Sequence, residues 1–231
     1  MSKNKKNIGD NRYTITSMNP KSPISEQYRT IRTTIEFKMI DQGIKSFLVT
    51  SSEASAGKST TIANLAITFA QQGKKVLLID ADLRKPTVNL TFKVQNRVGL
   101  TNVLMNQSSI TDAQQRTRVS ENLTIISSGP IPPNPSELLG SIAMKRLIES
   151  VTEFFDVILI DTPPLSLVTD AQVLSNYVGG VVIVAQANQT KKDGLLRTKK
   201  LLNQVQANIL GVVLHGAEMS DSNSYYYYGV E

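Results

Sequence analysis

Residues 52–60 read S-E-A-S-A-G-K-S-T, between the apolar run Phe47, Leu48, Val49 and an apolar-periodic stretch at 62–70. The pattern is strand, tight loop, helix, with Gly57-Lys58-Ser59 at the turn. Such a turn can hold a polyphosphate. The backbone N–H groups of Ser52, Glu53, Ala54, Ser55, Ala56 and Gly57, with the first helical turn through Thr60, face the anion. Lys58 neutralises it, and the Ser59 hydroxyl is offered to Mg²⁺. The usual spacing, G-x-x-x-x-G-K-[ST], has glycine where this chain has Ser52. A side chain at positive φ carries a penalty that glycine avoids, so strain is expected at Ser52.

Two further segments place carboxylates at strand ends. Val76-Leu77-Leu78-Ile79 runs into Asp80-Ala81-Asp82-Leu83-Arg84, and Val157-Ile158-Leu159-Ile160 runs into Asp161-Thr162-Pro163-Pro164. Asp80 and Asp82 are spaced to share one side if the strand continues. Carboxylates that close repel unless a cation lies between them, and Mg²⁺ prefers hard oxygen ligands. In a parallel sheet the carboxyl ends of all strands lie on one edge, so Lys58, Ser59, Asp80, Asp82 and Asp161 converge. Phosphoryl transfer asks mainly for positioning and charge neutralisation. Asp80 or Asp82 could accept the proton of an attacking hydroxyl. Water or a tyrosine would serve equally, so these residues alone do not separate hydrolase from kinase.

The elements that must position these groups alternate. Strands are predicted at 47–50, 76–80, 123–127, 157–161, 181–186 and 209–214, several as near-continuous Val/Ile/Leu runs suited to parallel strands covered on both faces. Helices are predicted at 22–40, 59–72, 136–152, 170–177 and 191–206. The first has Pro23 in its opening turn and Ile24, Tyr28, Ile31, Ile35 and Met39 at helical spacing. The fold class is a doubly wound α/β, mainly parallel sheet. Residues 1–20 are expected to be a loose N-terminal segment, 21–216 the nucleotide-binding domain and 217–231 a flexible tail.

Composition narrows the chemistry. The 231 residues contain no cysteine and one histidine, His215, which excludes disulfides, thiolate metal sites and polyhistidine sites. The apolar runs are too short to span a bilayer, and no apolar stretch follows the basic start, so a cytoplasmic protein is expected. The net charge is +6. No nucleic-acid partner is expected, since no DNA-binding motif or aromatic-interleaved basic stretch is present. An anionic membrane face or an acidic partner remains compatible with the basic excess.

The end of the sequence is unusual. A polar stretch leads into Tyr225, Tyr226, Tyr227 and Tyr228, which cannot all face one core. If the last strand is parallel to the others, the chain leaves it on the nucleotide edge. About ten residues then span at most roughly 33 Å, enough to reach its own site or a neighbour's. Such a tether gives an effective concentration on the order of mM, so a tyrosine substrate need not bind tightly.

These features together resemble the bacterial tyrosine kinases of capsule and exopolysaccharide operons, the stand-alone Gram-positive type. The resemblance covers nearly the whole chain. It rests on the loop 52–59, Asp80-x-Asp82-x-Arg84 with Lys85-Pro86, Asp161-Thr162-Pro163-Pro164, the segment P-P-N-P-S-E-L-L at 132–139, Glu26-x-x-Arg29-x-x-Arg32 and the terminal tyrosines. It implies a P-loop NTPase fold of the MinD/ParA-like group, with ATP and Mg²⁺ as cofactors. Catalytic roles would fall to Lys58, Asp80, Asp82 and Arg84, and metal ligation to Ser59, Asp82 and Asp161. Glu26, Arg29 and Arg32 would form subunit contacts in a ring. The tyrosines would be phosphorylated by a neighbouring subunit, a transmembrane adaptor of the polysaccharide co-polymerase type would stimulate the kinase through its cytosolic tail, and polysaccharide-synthesis enzymes would be further substrates. The chain would thus sit at the inner face of the plasma membrane. Two departures stand out: family loops often have Pro-Gly where this chain has Ala54-Ser55, and His215 stands where relatives commonly have asparagine near the adenine. The rival readings are a regulatory ATPase resembling septum-positioning and partitioning proteins, and an ATP-gated scaffold. The former typically carry an early loop lysine, at the position of Glu53 here.

Overall fold

The computed structural model describes residues 14–218. In it the strands are β1 (Ser46–Ser51), β2 (Val76–Asp80), β3 (Gln114–Arg116), β4 (Leu123–Ile126), β5 (Val157–Asp161), β6 (Gly180–Gln186) and β7 (Ile209–His215). The helices are α1 (Ile15–Met18), α2 (Pro23–Asp41), α3 (Lys58–Gln71), α4 (Val88–Phe92), α5 (Leu100–Leu104), α6 (Ile110–Ala113), α7 (Pro135–Leu139), α8 (Ile142–Val151), α9 (Asp170–Leu174) and α10 (Lys192–Gln204). The strands form one sheet in the order β3-β4-β2-β5-β1-β6-β7. All neighbours are parallel except β3, which runs antiparallel to β4.

Every residue of β1, β2 and β5 is buried, as their unbroken apolar runs require. The pleat sends alternate side chains to two cores. Phe47, Val49, Val76 and Leu78 pack with Phe69 of α3 and Met39 of α2, whereas Leu48, Leu77 and Ile79 pack with Met144 and Leu147 of α8. Truncating one of these, Leu78→Ala for example, costs about 2–5 kcal/mol. The sheet is therefore a rigid plate. What matters for chemistry is its register: Asp80 stands abreast of Asp161, and Val49, just before the loop, abreast of Asp161 on the other side.

The doubly wound architecture is as expected, and the differences are local. α2 begins one residue later than predicted because Ser22 caps it, its Oγ accepting from Ser25 N at 3.1 Å, with Pro23 at the first helical position. The helix predicted at 136–152 is two helices. Ser141 starts the second one, its Oγ accepting from Met144 N at 3.3 Å, and Gly140 lies against Val173 Cγ1, where a Cβ would be only 3.0 Å away. α9 stops at Leu174, short of the predicted Tyr177. Within the segment expected to be loose, α1 packs on α3: Thr16 is buried and gives Asn64 Oδ1 two hydrogen bonds, from N at 3.0 Å and from Oγ1 at 2.8 Å. α4, α5, α6 and β3 were not foreseen; each has three to five residues, too few to show a period.

Candidate active site

α3 starts from a left-handed turn. Gly57 has φ +82 and serves as the N-cap, so the chain reverses abruptly between β1 and the helix. The strain expected at Ser52 is not there; it sits at Ser55, whose φ is +62. Ser52 is buried instead, with its hydroxyl lacking a hydrogen-bond partner. The loop is braced from within by Ser51 Oγ, which donates to Glu53 O at 2.7 Å. Ala54 and Ser55 are exposed, while Ala56 is buried under the turn.

Lys58, the first residue of α3, is buried. Its Nζ lies 2.5 Å from Asp161 Oδ1, 4.0 Å from Asp82 Oδ2 and 3.2 Å from Ser59 Oγ. The Ser59 hydroxyl donates to the other oxygen of Asp161 at 3.0 Å. Asp161 is fully buried and so is Asp80 beside it. The Asp80 carboxyl is pushed up to about 7, first by burial and then by the neighbouring charge of Asp161. Its oxygens accept from Asp82 N at 3.2 Å, Thr87 N at 3.0 Å and Val88 N at 2.9 Å. Asp82 is also raised by burial, with Lys58 opposing the rise, and its Oδ1 accepts from Lys85 N at 3.0 Å.

This donor set suits Mg²⁺. Three carboxylates and a hydroxyl, all hard oxygens, lie about one ammonium, and the charge of Asp161 adds to burial in raising Asp80. No cluster of three acidic or His residues forms a metal cage among the described residues. Mg²⁺ commonly takes one or two protein oxygens and fills the rest with water and substrate phosphate.

Comparison with known proteins decides between the chemistries this site allows. The AAA domain family model matches residues 45–212. Tyrosine-protein kinase YwqD of Bacillus subtilis (strain 168) is 48% identical over 220 residues, which cover 95% of this chain and 92% of that protein. The putative tyrosine-protein kinase CapB of Staphylococcus aureus is 43% identical over 209 residues, covering 90% and 91%. The chain belongs to the bacterial tyrosine-protein kinases. Among solved structures, the kinase resembles the chimerical protein CapA2B2 at TM-score 0.83 and 43% identity, covering 87% of this chain and 88% of that one. It resembles the kinase domain of Escherichia coli tyrosine kinase ETK at TM-score 0.87 and 30% identity, covering 96% and 89%. The septum site-determining protein MinD of Pyrococcus horikoshii OT3, at TM-score 0.64 and 23% identity, shares the fold, and the rival regulatory-ATPase reading is not favoured.

The remaining expected residues of the kinase divide. Arg84 is not brought to the cradle; it pairs with Asp170, its Nε 3.0 Å from Oδ2, and reaches Ser136 Oγ at 3.0 Å. His215 is brought there. Its ring fills the space that a Cβ at Gly57 would take, and burial lowers its pKa. It borders a pocket of about 180 Å³ with Tyr28, Ile31 and Val213. On α2, Glu26 pairs with Arg29, and Arg29 Nη2 also reaches Pro20 O at 2.7 Å. Arg32 turns inward instead, donating from Nη1 to Thr68 O at 3.1 Å. At about 100° per residue, six residues carry a side chain well past the face on which it began. The four tyrosines lie outside the described residues. Among those described, no helix is long and apolar enough to cross a membrane. The pairing of Arg84 with Asp170 and Ser136 was not foreseen, because an acid at a helix start and a serine after proline look like ordinary caps.

Proposed function

We propose that this kinase transfers the γ-phosphoryl group of Mg·ATP to Tyr225, Tyr226, Tyr227 and Tyr228 of a neighbouring copy of itself. The observation that carries the reading is one of place. β7 runs parallel to β6, and its final residue, His215, rests on Gly57 of the phosphate loop. The described chain therefore leaves the sheet at the edge where Lys58, Ser59, Asp82 and Asp161 are gathered.

Bound Mg·ATP supplies the phosphoryl group and a metal centre that draws charge from it. Lys58 would pair with the phosphate oxygens, and Ser59, Asp82 and Asp161 would hold the metal. The phenolic oxygen bonds to the γ-phosphorus as the bridge to the β-phosphate breaks, and the phenolic proton must leave. Asp80 or Asp82 would accept it; the Asp80 carboxylate already takes three backbone N–H bonds and Asp82 takes one. His215 and the pocket beside it receive the base. Glu26 and Arg29 form the contact to the next subunit in a ring-shaped homo-oligomer. A transmembrane adaptor of the polysaccharide co-polymerase type holds the kinase at the inner face of the membrane and stimulates it. Phosphorylation then regulates capsular or exopolysaccharide synthesis and export, with polysaccharide-synthesis enzymes as further substrates.

The test is labelling of the purified full chain with γ-labelled ATP and Mg²⁺, with and without a candidate adaptor tail. Phosphotyrosine within residues 225–228, absent in Lys58→Met, is the expected result. Phosphate release with no tyrosine label in either condition would replace the kinase reading with that of a regulatory ATPase.

A further inference from the structure

Three loops leave the carboxyl edge of the sheet, after β2, β4 and β5, and they meet at one carboxylate outside the phosphate cradle. Asp170, the first residue of α9, is fully buried. Arg84, from the turn after β2, donates to it from Nε at 3.0 Å and from Nη2 at 3.2 Å. Ser136 of α7 donates to the same carboxylate and accepts from Arg84 Nη2 at 3.0 Å. One of the connected loops carries Asp82, and another begins where β5 ends at Asp161.

The sheet cannot hold Asp82 by itself. The ladder between β2 and β5 pairs Asp80 with Asp161, and the bond from Ala81 N to Asp161 O at 2.8 Å follows it. Past that point Asp82 is fixed by its own N–H on Asp80 Oδ1 at 3.2 Å, by the Lys85 N–H on its Oδ1 and by whatever anchors the turn that contains Arg84 and Lys85. We propose that Asp170 is a positioning residue for phosphoryl transfer: by clamping Arg84 in a two-bond grip, it sets Asp82 against Asp161 across the metal position. An exposed ion pair would hold little, but here the acceptor is wholly buried and the fork geometry removes the freedom of the guanidinium. The proposal rests on the phosphoryl-transfer reading of the site.

The experiment uses the full chain and four variants: Asp170→Asn, Arg84→Ala, the double variant, and Tyr177→Phe. The last removes a hydrogen bond from Tyr177 Oη to Gly140 O at 2.8 Å, which joins the region after α9 to the end of α7 without touching Arg84. Four quantities are read: melting temperature, the Mg²⁺ concentration that half-saturates binding of a fluorescent ADP analogue, and kcat and KM for tyrosine labelling. Asp170→Asn is expected to raise the Mg²⁺ midpoint and lower kcat by about tenfold each, with KM for ATP within about twofold. In the Arg84→Ala background the same change should add nothing, because the residue acts through the guanidinium. Tyr177→Phe should lower the melting temperature and leave the Mg²⁺ midpoint in place.

A Mg²⁺ midpoint unmoved in Asp170→Asn, or an effect as large when Arg84 is already absent, overturns the proposal. If Asp170→Asn does not fold, Ser136→Ala keeps both charges and carries the test, with a rise of about threefold expected and no rise overturning it. A wild-type protein that binds Mg²⁺ and the nucleotide analogue but never labels tyrosine would end the kinase reading, while the Mg²⁺ midpoints would still decide the role of Asp170.

Discussion

Lys58 Nζ sits 2.5 Å from Asp161 Oδ1, tying the first residue of α3 to the last residue of β5. Both groups are buried. Each charge is neutralised by the other, and under the proposed function nucleotide binding would exchange one set of charge partners for another.

Lys58→Met should therefore do more than abolish nucleotide binding. It leaves Asp161 fully buried without its ammonium partner, and breaking one side of a buried pair costs about 3–5 kcal/mol. Denaturant unfolding of the ligand-free variant should show a loss of that order. Adding Asp161→Asn should return much of it, since the orphaned charge is then gone. A single variant as stable as wild type would mean that the pair contributes nothing to the fold.

Asp80 gives the ligand-free protein a pH dependence. Its folded pKa is about 7, above the unfolded carboxylate value of 3.8. The folded state therefore holds a proton that the unfolded state releases between those values. The stability from this group is fully present below pH about 4 and is lost as pH rises through about 7. Melting temperature should fall across this window for wild type, and the fall should be shallower in Asp80→Asn. Parallel curves for the two proteins would remove Asp80 as the cause.

Ser55 occupies the left-handed region, where a side chain costs about 1–2 kcal/mol. Ser55→Gly relieves that strain but adds freedom to the unfolded chain worth about 0.5–1 kcal/mol, so stability should change little. Ser55→Pro cannot reach positive φ, and nucleotide affinity should fall at least about tenfold. Ser52→Ala should be neutral or stabilising by about 1 kcal/mol, because it removes a buried hydroxyl without a partner. Equilibrium binding of a fluorescent ADP analogue and thermal melts would check all three.

These two serines also show what was legible in the chain. The strand-loop-helix pattern and the strand-terminal aspartates located the cradle, because apolar runs ending in acids leave few alternatives in a parallel sheet. Which loop residue takes the left-handed turn was not legible; it depends on how the loop closes over α3, and Gly57 and Ser55 share that reversal. Arg84 was expected in the cradle, but the structure holds it outside, on a partner that was not legible. Asp170 lies 86 residues away in sequence and becomes adjacent only when α9 is packed. The short α4, α5 and α6 carry too few turns to leave a periodic trace.

Gly57 and His215 form a second test of the loop. A methyl group at 57 would need φ +82 and would also run into the imidazole. Gly57→Ala should lose nucleotide binding and destabilise by more than the roughly 1–2 kcal/mol of the backbone term alone. Truncating the ring in Gly57→Ala/His215→Ala should recover the steric part and leave the backbone part. Equal losses in the single and double variants would show that the ring moves aside freely.

The three charged residues of α2 should separate by experiment, because they do different work in the structure. Glu26 and Arg29 pair with each other at the partly exposed helix surface, and such pairs contribute about 0–1 kcal/mol. Arg32 instead ties α2 to the Thr68 carbonyl of α3, with its Nε buried and unpartnered. Replacing Glu26 and Arg29 by alanine should leave the melting temperature nearly unchanged and reduce the mass seen by light scattering toward that of a monomer. Arg32→Ala should lower stability by about 1 kcal/mol, because a carbonyl loses its charged donor. If the mass is unchanged after all three replacements while stability falls only for Arg32, the helix is a fold element and not a subunit contact, and phosphorylation between neighbours must use another surface.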